Sequence, residues 1–414
     1  MKRILKHTLP LGGAALFLLL LALFATGCKN EVTPSLYNTD YNPGVPPVIT
    51  SVSPKDSGLA GVDVLTIDGS NFSPNPSENF VFFNADTGMV VSATATQLKV
   101  KAPNLVKDTI RLKVAVLYAE KFSNTVQYKL QAAASEFGGF TNVDEPWALA
   151  VDANGDLLVS LISRSVGVGV KKITPDGVVS DFAPAFSTAV NKWSGMKIGP
   201  GGYLYAVTGR NIIFRMNPTG GAPTVWKSGG GLGTLWDLDF DQQGNIWAAG
   251  NATSVFRVKP DLSVQGFPFT ADVKSVRVYS KYLYVAGVQT GASKIWRFPL
   301  NADGTLGSVE EYFNFSTSAF GTGGKGAFAI TFNTDGDMYV GTDADASVVI
   351  VHPDKSAEAL YPGVIKPQTL FFAWGNGTTL YSSRRNPDPS STAITSAIIK
   401  LNTRKTGAPY FGVR

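Results

Sequence analysis

Three hydrophobic patterns divide the chain. The first is a nearly continuous apolar stretch from Leu9 to Phe24, behind a basic start and ahead of small residues. The second begins at Pro47. There "PVITSVSPKDSGLAGVDVLTIDGSNFS" alternates apolar and polar positions around Gly and Pro, and "FVFFN", "MVVSATATQLKVKAP" and "TIRLKVAVLYAEKFSNTVQYKL" continue in short runs. Alternation with a period of two between turn-forming residues predicts half-buried strands, here at the spacing of a β-sandwich. Between these patterns, "KNEVTPSLYNTDYNPGVP" has neither a strand nor a helix period and reads as a flexible tether.

The third pattern, from 145 onward, repeats. "PWALAVDANGDLLVS", followed by "VKKITPDGVVSDFA", sets the plan: an apolar strand, an Asx-Gly turn, a second strand, then two more strands joined by a second turn. "WSGMKIGPGGYLYAV", "LWDLDFDQQGNIWAA", "VKSVRVYSKYLYVAG", "AFAITFNTDGDMYVG" and "TLFFAWGNGTTLYSS" open five further units. Leu158, Tyr205, Trp247, Tyr284, Tyr339 and Tyr381 occupy one position of the second strand, at steps of 47, 42, 37, 55 and 42 residues. Such a period predicts a β-propeller, since one blade cannot cover its own apolar faces and must stack on neighbours. "ITPDG", "MNPTG" and "VKPDL" are then the turns between third and fourth strands, one per blade, and six blades are expected. "SEFGGF" at 135–140 and "APYFG" at 408–412 both read as outer strands able to close the ring, and the sequence does not choose between them.

Composition agrees with an all-β chain: 43 Gly, 24 Pro and 44% hydrophobic residues, of which enough are apolar to build real cores. The formal charge of +5 overstates the basic character. Lys2, Arg3 and Lys6 lie in the first segment, so from Cys28 onward 33 basic residues face 31 acidic ones. Without a dense Lys/Arg cluster, a nucleic-acid partner is not expected.

The apolar start approaches the roughly 20 residues that span a bilayer, but Pro10, Gly12 and Gly13 interrupt it and small residues end it, as in a cleaved signal. "ATGC", ending on the single cysteine of the chain, resembles the lipobox of bacterial lipoproteins. The resemblance implies cleavage after residue 27, lipid on Cys28, and, with Lys29 rather than Asp next, an outer-membrane destination. A durable anchor needs two or more acyl chains. A lone cysteine also leaves no disulfide, so packing alone must hold the fold.

Residues 47–130 resemble the IPT/TIG domain, an Ig-like sandwich: Val48 and Ile49, Ser53-Pro54, Gly61, "TIDGSNF" at 66–72, "VKAP" at 100–103, and Ser123, Asn124 and Tyr128 carry the likeness. Gly69 is expected at a turn where a side chain would clash, and Phe72 in the core. "GGFTNVDEPWALAVDANGDLLVS" and its continuation are similar to NHL-repeat propellers and to the streptogramin-lyase-like and gluconolactonase-like families. The expected organisation is therefore a signal peptide at 1–27, a tether at 28–46, an N-terminal Ig-like β-sandwich (IPT/TIG) at 47–130 and a six-bladed β-propeller at 131–414.

Chemistry is sparse in this pattern. The lactonase-like resemblance implies a divalent metal held partly by an acid at the place of Glu145, but no "PNG" segment supplies further ligands. His352, the only histidine after the signal segment, falls at a turn, while the lyase-like chemistry uses several. "GTGGKG" at 321–326 precedes a strand and not a helix, so it is a loop and not a phosphate cradle. No cofactor or metal is expected. What remains is the propeller mouth, where Trp147, Trp193, Trp236, Lys274, Phe328 and Gln368 stand just ahead of the inner strands; rings at a concave face suit sugars or peptide side chains. Lys197, Asp239 and Arg277 occupy matching inner-strand positions and are expected to line the channel. The function read from the sequence is capture of a glycan or an envelope protein by a membrane-anchored propeller, with a lactonase-like hydrolase, a polysaccharide lyase or an assembly scaffold as the alternatives.

Overall fold

The computed structural model describes residues 44–386, 388 and 393–409. The signal segment, Cys28 and nearly all of the tether lie outside the described residues. Almost every regular element is a strand; the short 3-10 turns Pro76–Glu78 and Pro200–Gly202 are the helical exceptions among the described residues.

In the first domain, Val48–Ser53 pairs with Val64–Ser70, which pairs in turn with Gln97–Lys101. The sheet continues through Asp86–Ala93, Asn79–Phe83, Lys107–Val116 and Val126–Gln131 to Ser57–Leu59, the last strand added in parallel. The period-two pattern is what buries one face: Leu65 and Ile67, Val81 and Phe83, Leu98 and Val100, Ile110, Leu112 and Val114 are all fully enclosed. Each such side chain contributes roughly 1.5–3 kcal/mol by leaving water. Gly69 lies inside the strand Val64–Ser70 and not at a turn. It faces the bulge between Ile49 and Ser51, where a Cβ would stand 2.0 Å from the Val48 carbonyl oxygen and 2.5 Å from the Phe72 ring. Asn124 explains its own place in the pattern by bridging both backbone groups of Ile49, accepting at 2.8 Å and donating at 3.0 Å. Tyr128 donates its hydroxyl to the Pro54 carbonyl at 2.8 Å.

The rest of the chain forms propeller-like sheets. Asp144–Val151, Leu157–Ser163, Val166–Ile173 and Val179–Ala183 make the first, and Gly195–Ile198, Leu204–Val207, Ile212–Met216 and Thr224–Ser228 the second. A seven-stranded sheet follows, unified by the 16-residue strand Val264–Tyr279, which pairs with Asn251–Val258 at its start and with Tyr282–Gln289 at its end. Ala327–Phe332, Met338–Thr342, Val348–Val351 and Ala357–Ala359 form the next. The last takes Thr369–Trp374, Thr379–Arg384 and Ala397–Asn402, and adds Ala134–Phe137 from the far end of the segment. "SEFGGF" is thus the strand that joins the two ends. The first strands pack on one another in sequence, and Thr369–Trp374 packs back on Asp144–Val151, so they surround a central axis.

Two turns recur and both depend on specific chemistry. Between first and second strands, one oxygen of Asp152 accepts from the amides of Asn154 and Asp156; Asp241 does the same for Gln243 and Asn245, and Asn333 for Asp335 and Asp337. Side-chain oxygens that bond their own backbone two residues on are what favour Asx at these positions. In the "TPDG" turn, Thr174, Lys259, Asn301 and His352 each donate to the carbonyl four residues on and accept from the amide three residues on. The penultimate residue has positive φ: Gly177 and Gly304, but also Leu262 and Lys355. An ion pair between Arg404 and the buried Asp63 ties the propeller segment to the first domain.

Candidate functional site

The mouth is shaped by irregularities in the first strands. Register shifts fall between Pro146 and Leu149, Val273 and Ser275, Ala327 and Ala329, and Thr369 and Phe371. A bulge re-aims the unpaired residue, and the residues it frees here are Trp147, Lys274, Phe328 and Leu370. Trp236 reaches the same level just ahead of Asp237–Phe240, its amide bonded to the Ala249 carbonyl at 2.7 Å.

Trp147 is the centre of this arrangement. It is only 6% exposed. Its ring centroid lies 3.8 Å from the Lys192 ammonium and 3.9 Å from the Arg385 guanidinium carbon, with Trp236 at 6.3 Å and Phe371 at 6.0 Å. Arg385 is placed by reciprocal backbone hydrogen bonds with Gln368, and Ser383 beside it donates to the Pro146 carbonyl at 2.6 Å. The π surface of Trp147 is therefore taken by cations, each such contact being worth about 0.5–2 kcal/mol. It is not a platform held open for a ligand.

What stays unfilled is donor capacity. Trp147 Nε1 and Arg385 Nη2 are buried and have no hydrogen-bond partner among the described residues, and each such group costs about 1–3 kcal/mol while unpaired. Neither Lys192 nor Arg385 forms an ion pair among the described residues; Lys274, by contrast, holds Asp272 at 2.8 Å while facing the Trp236 ring at 5.7 Å. Burial holds the pKa of Lys192 and of Arg385 below their ordinary values, and for Lys192 the charge of Arg385 adds to the effect; Glu145 pulls both the other way.

The expected mouth thus needs correction. Trp193 is 2% exposed and belongs to the core, packed on Phe214 at 4.9 Å with its amide donating to Ser160 Oγ. It stands two residues ahead of Gly195–Ile198, whereas Trp236 stands one ahead of Asp237–Phe240, and a shift of one residue turns a strand side chain to the other face. Gln368 serves through its backbone, while Phe371 supplies the ring. Trp236, Phe328, Gln368 and Phe371 are half-buried. Lys192, Arg385 and Phe371 were missed. Their signals were a Lys directly before "WSG" and the paired arginines closing "LYSSRR".

Below the mouth, register places Lys197, Asp239 and Arg277 opposite Tyr205, Trp247 and Tyr284, and the three charges act on one another. It adds Asp237, whose Oδ2 accepts from Arg277 Nη1 at 2.7 Å, Val276 N at 2.9 Å and Ser275 Oγ at 3.0 Å. Asp239 accepts from the amides of Phe240 and Val278, both at 2.9 Å. Burial, helped by the charge of Arg277, pushes the Lys197 ammonium down to about 8 against the pull of Asp237 and Asp239; burial raises the Asp239 carboxyl. Arg277 and Asp237 form the ion pair here, and Lys197 is held by the charges of Asp237 and Asp239. Asp237 was legible in "WDLDF", where acids two apart share a strand face.

His352 sits at its turn, where Nδ1 lies 2.8 Å from Asp337, which raises its pKa. Glu145 is half-buried at the rim of the mouth. Among the described residues, no group of three His, Cys, Asp or Glu side chains is placed to hold a metal ion.

The fold defines an all-β protein with an IPT/TIG domain followed by propeller-like sheets. Residues 47–130 match the IPT/TIG domain family. No protein of curated function matches the sequence. Among solved structures, the chain is similar to an auxiliary nutrient binding protein from Bacteroides thetaiotaomicron, at 13% identity and a TM-score of 0.52 over 87% of this chain and 99% of that one. It is similar to a putative phosphatase from the same species, at 12% identity and a TM-score of 0.58 over 89% and 98%. A putative gluconolactonase aligns at 18% identity and a TM-score of 0.50 over 67% and 94%. At such identities the likeness is one of fold.

Proposed function

We propose that this protein captures a glycan at the propeller mouth, held to a bacterial cell envelope by lipid on Cys28. In this reading the IPT/TIG domain is an Ig-like sandwich that lifts the propeller from the membrane, probing outward from the outer membrane. The propeller has six blades, the seven-stranded sheet counting as two that share Val264–Tyr279. The observation that carries the reading is the mouth itself. Half-buried Trp236 and Phe371, at 6.3 and 6.0 Å from the Trp147 ring, offer apolar faces beside the unfilled donors of Trp147 and Arg385, and a pyranose presents both C–H faces and oxygen acceptors. Similarity to an auxiliary nutrient binding protein points the same way.

The test is titration of soluble Asn30 to Arg414 with a panel of plant, host and bacterial glycans, followed by tryptophan fluorescence. A hit is expected to perturb the emission, and Trp236→Ala to weaken it about tenfold, or roughly 1.4 kcal/mol. If wild type and Trp236→Ala bind alike, this face is not the site. If only envelope proteins bind, the glycan assignment fails.

A further inference from the structure

The mouth differs from the channel below it in one respect: beside the paired Lys274, two of its cations, Lys192 and Arg385, form no ion pair among the described residues. In the channel, Asp237 and Asp239 meet Arg277 and Lys197. In the mouth, Lys192 and Arg385 share a single tryptophan ring, and Glu145 is the one acid whose charge acts on both. That acid acts on both cations through its charge and forms no ion pair with either among the described residues. Two cations so near each other, one with a buried N–H lacking any acceptor, are an incomplete arrangement. A ring can hold a cation, but it cannot accept the in-plane hydrogen bonds of a guanidinium. A carboxylate can, and it binds such a fork with bonds shorter and stronger than neutral ones. A second oxygen of the same ligand would serve the indole Nε1.

We propose that the mouth is a carboxylate site and that its ligand is an acidic saccharide carrying a hexuronic acid. The inference rests on the glycan-capture reading and narrows it. A uronate joins, in one ring, the three features the mouth matches: a carboxylate for Arg385 and Lys192, hydroxyl or ring oxygens for Trp147 Nε1, and a C–H face for Trp236 or Phe371. An acidic peptide would supply only the first as a fixed unit.

The test uses three probes on the soluble protein: tri-galacturonate, the same trisaccharide with its carboxyl groups reduced to alcohols, and hexaglutamate. Tri-galacturonate is expected to bind about tenfold or more tighter than its reduced form, the value of one charge-assisted hydrogen bond. That preference is expected to shrink as salt rises. Arg385→Gln and, separately, Lys192→Gln are expected to reduce the ratio of the two affinities, and near-ultraviolet circular dichroism establishes that each variant is folded. Equal binding of acidic and reduced trisaccharides overturns the carboxylate inference and leaves glycan capture standing. Binding of hexaglutamate without tri-galacturonate overturns the saccharide class. Binding of none of the three also overturns this inference, while the wider glycan panel decides glycan capture independently.

Discussion

Replacing Arg277 by Met tests the charge network of the channel. Arg277 and Asp237 are 4% and 5% exposed and joined at 2.7 Å. The variant leaves Asp237 and Asp239 with Lys197 as the only cation of the network. Removing one partner of a buried pair costs about 3–5 kcal/mol, because the charge left behind has lost both water and its counter-charge. For a domain of this size, 1 kcal/mol moves the midpoint by roughly 2 °C, so melting is expected to fall by roughly 6–10 °C. Adding Asp237→Leu removes the stranded acid and leaves Lys197 with Asp239, one charge each; the double variant is expected to recover to within about 2 kcal/mol of wild type. A second readout is the pH dependence of the urea midpoint. Lys197 titrates near 8 in the folded protein and near 10.4 when unfolded, so between those values the unfolded chain binds more protons and wild-type stability rises with pH. In Arg277→Met the repulsion is gone and the acids remain, so the Lys197 value climbs and the rise flattens. A loss below about 1 kcal/mol, or a double variant as weak as the sum of its parts, would refute the claim that these charges depend on one another.

Two further outcomes follow from the turns. Gly177→Ala places a side chain at φ 94° with nothing nearer than the Phe137 ring at 3.7 Å, so only backbone strain is felt and the expected loss is about 1–2 kcal/mol. Gly220→Ala, at the same turn of the next sheet, would also put a Cβ 2.2 Å from the Phe182 carbonyl oxygen; it is expected to cost about 2–5 kcal/mol, and equal urea midpoints for the two variants would contradict this. His352 has its folded pKa raised, first by its hydrogen bond to Asp337, so its contribution is complete below the unfolded value of about 6.5 and is lost as pH rises through the folded one. His352→Gln should flatten that segment of the stability curve, and an unchanged curve would mean the hydrogen bond is absent in solution.

The parts of the fold that sequence made legible are those set by local rules. Period-two alternation placed the strands around Leu65, Ile67, Val81 and Phe83, and the recurring turns marked the repeating units because Asx oxygens and positive φ leave a chemical trace. Register was less accessible. Trp193 and Trp236 look equivalent by alignment on aromatics, yet they differ by one step from their strands and so face opposite ways. Bulges were invisible for the same reason: no residue type marks the shift that frees Phe328 or Lys274. Arg385 was hidden more deeply, since it lies just past the end of the second strand Thr379–Arg384 and is placed by its backbone pairing with Gln368.

That difference bears on where function lies. Lys197, Asp239 and Arg277 were found because they recur at one strand position, and recurrence in a closed ring is also what lets such charges neutralise each other. The mouth cations come from dissimilar places, a loop ahead of one strand and the end of another, and nothing in the repeat supplies their complement. A charge set produced by the repeat tends toward self-sufficiency, and stabilises the axis. A set produced by departures from the repeat has no partner built in, so an acceptor from outside completes it at lower cost than one from within the fold. The departures at Lys192, Trp147 and Arg385 therefore favour the proposed ligand site at the mouth over the conspicuous charges of the channel.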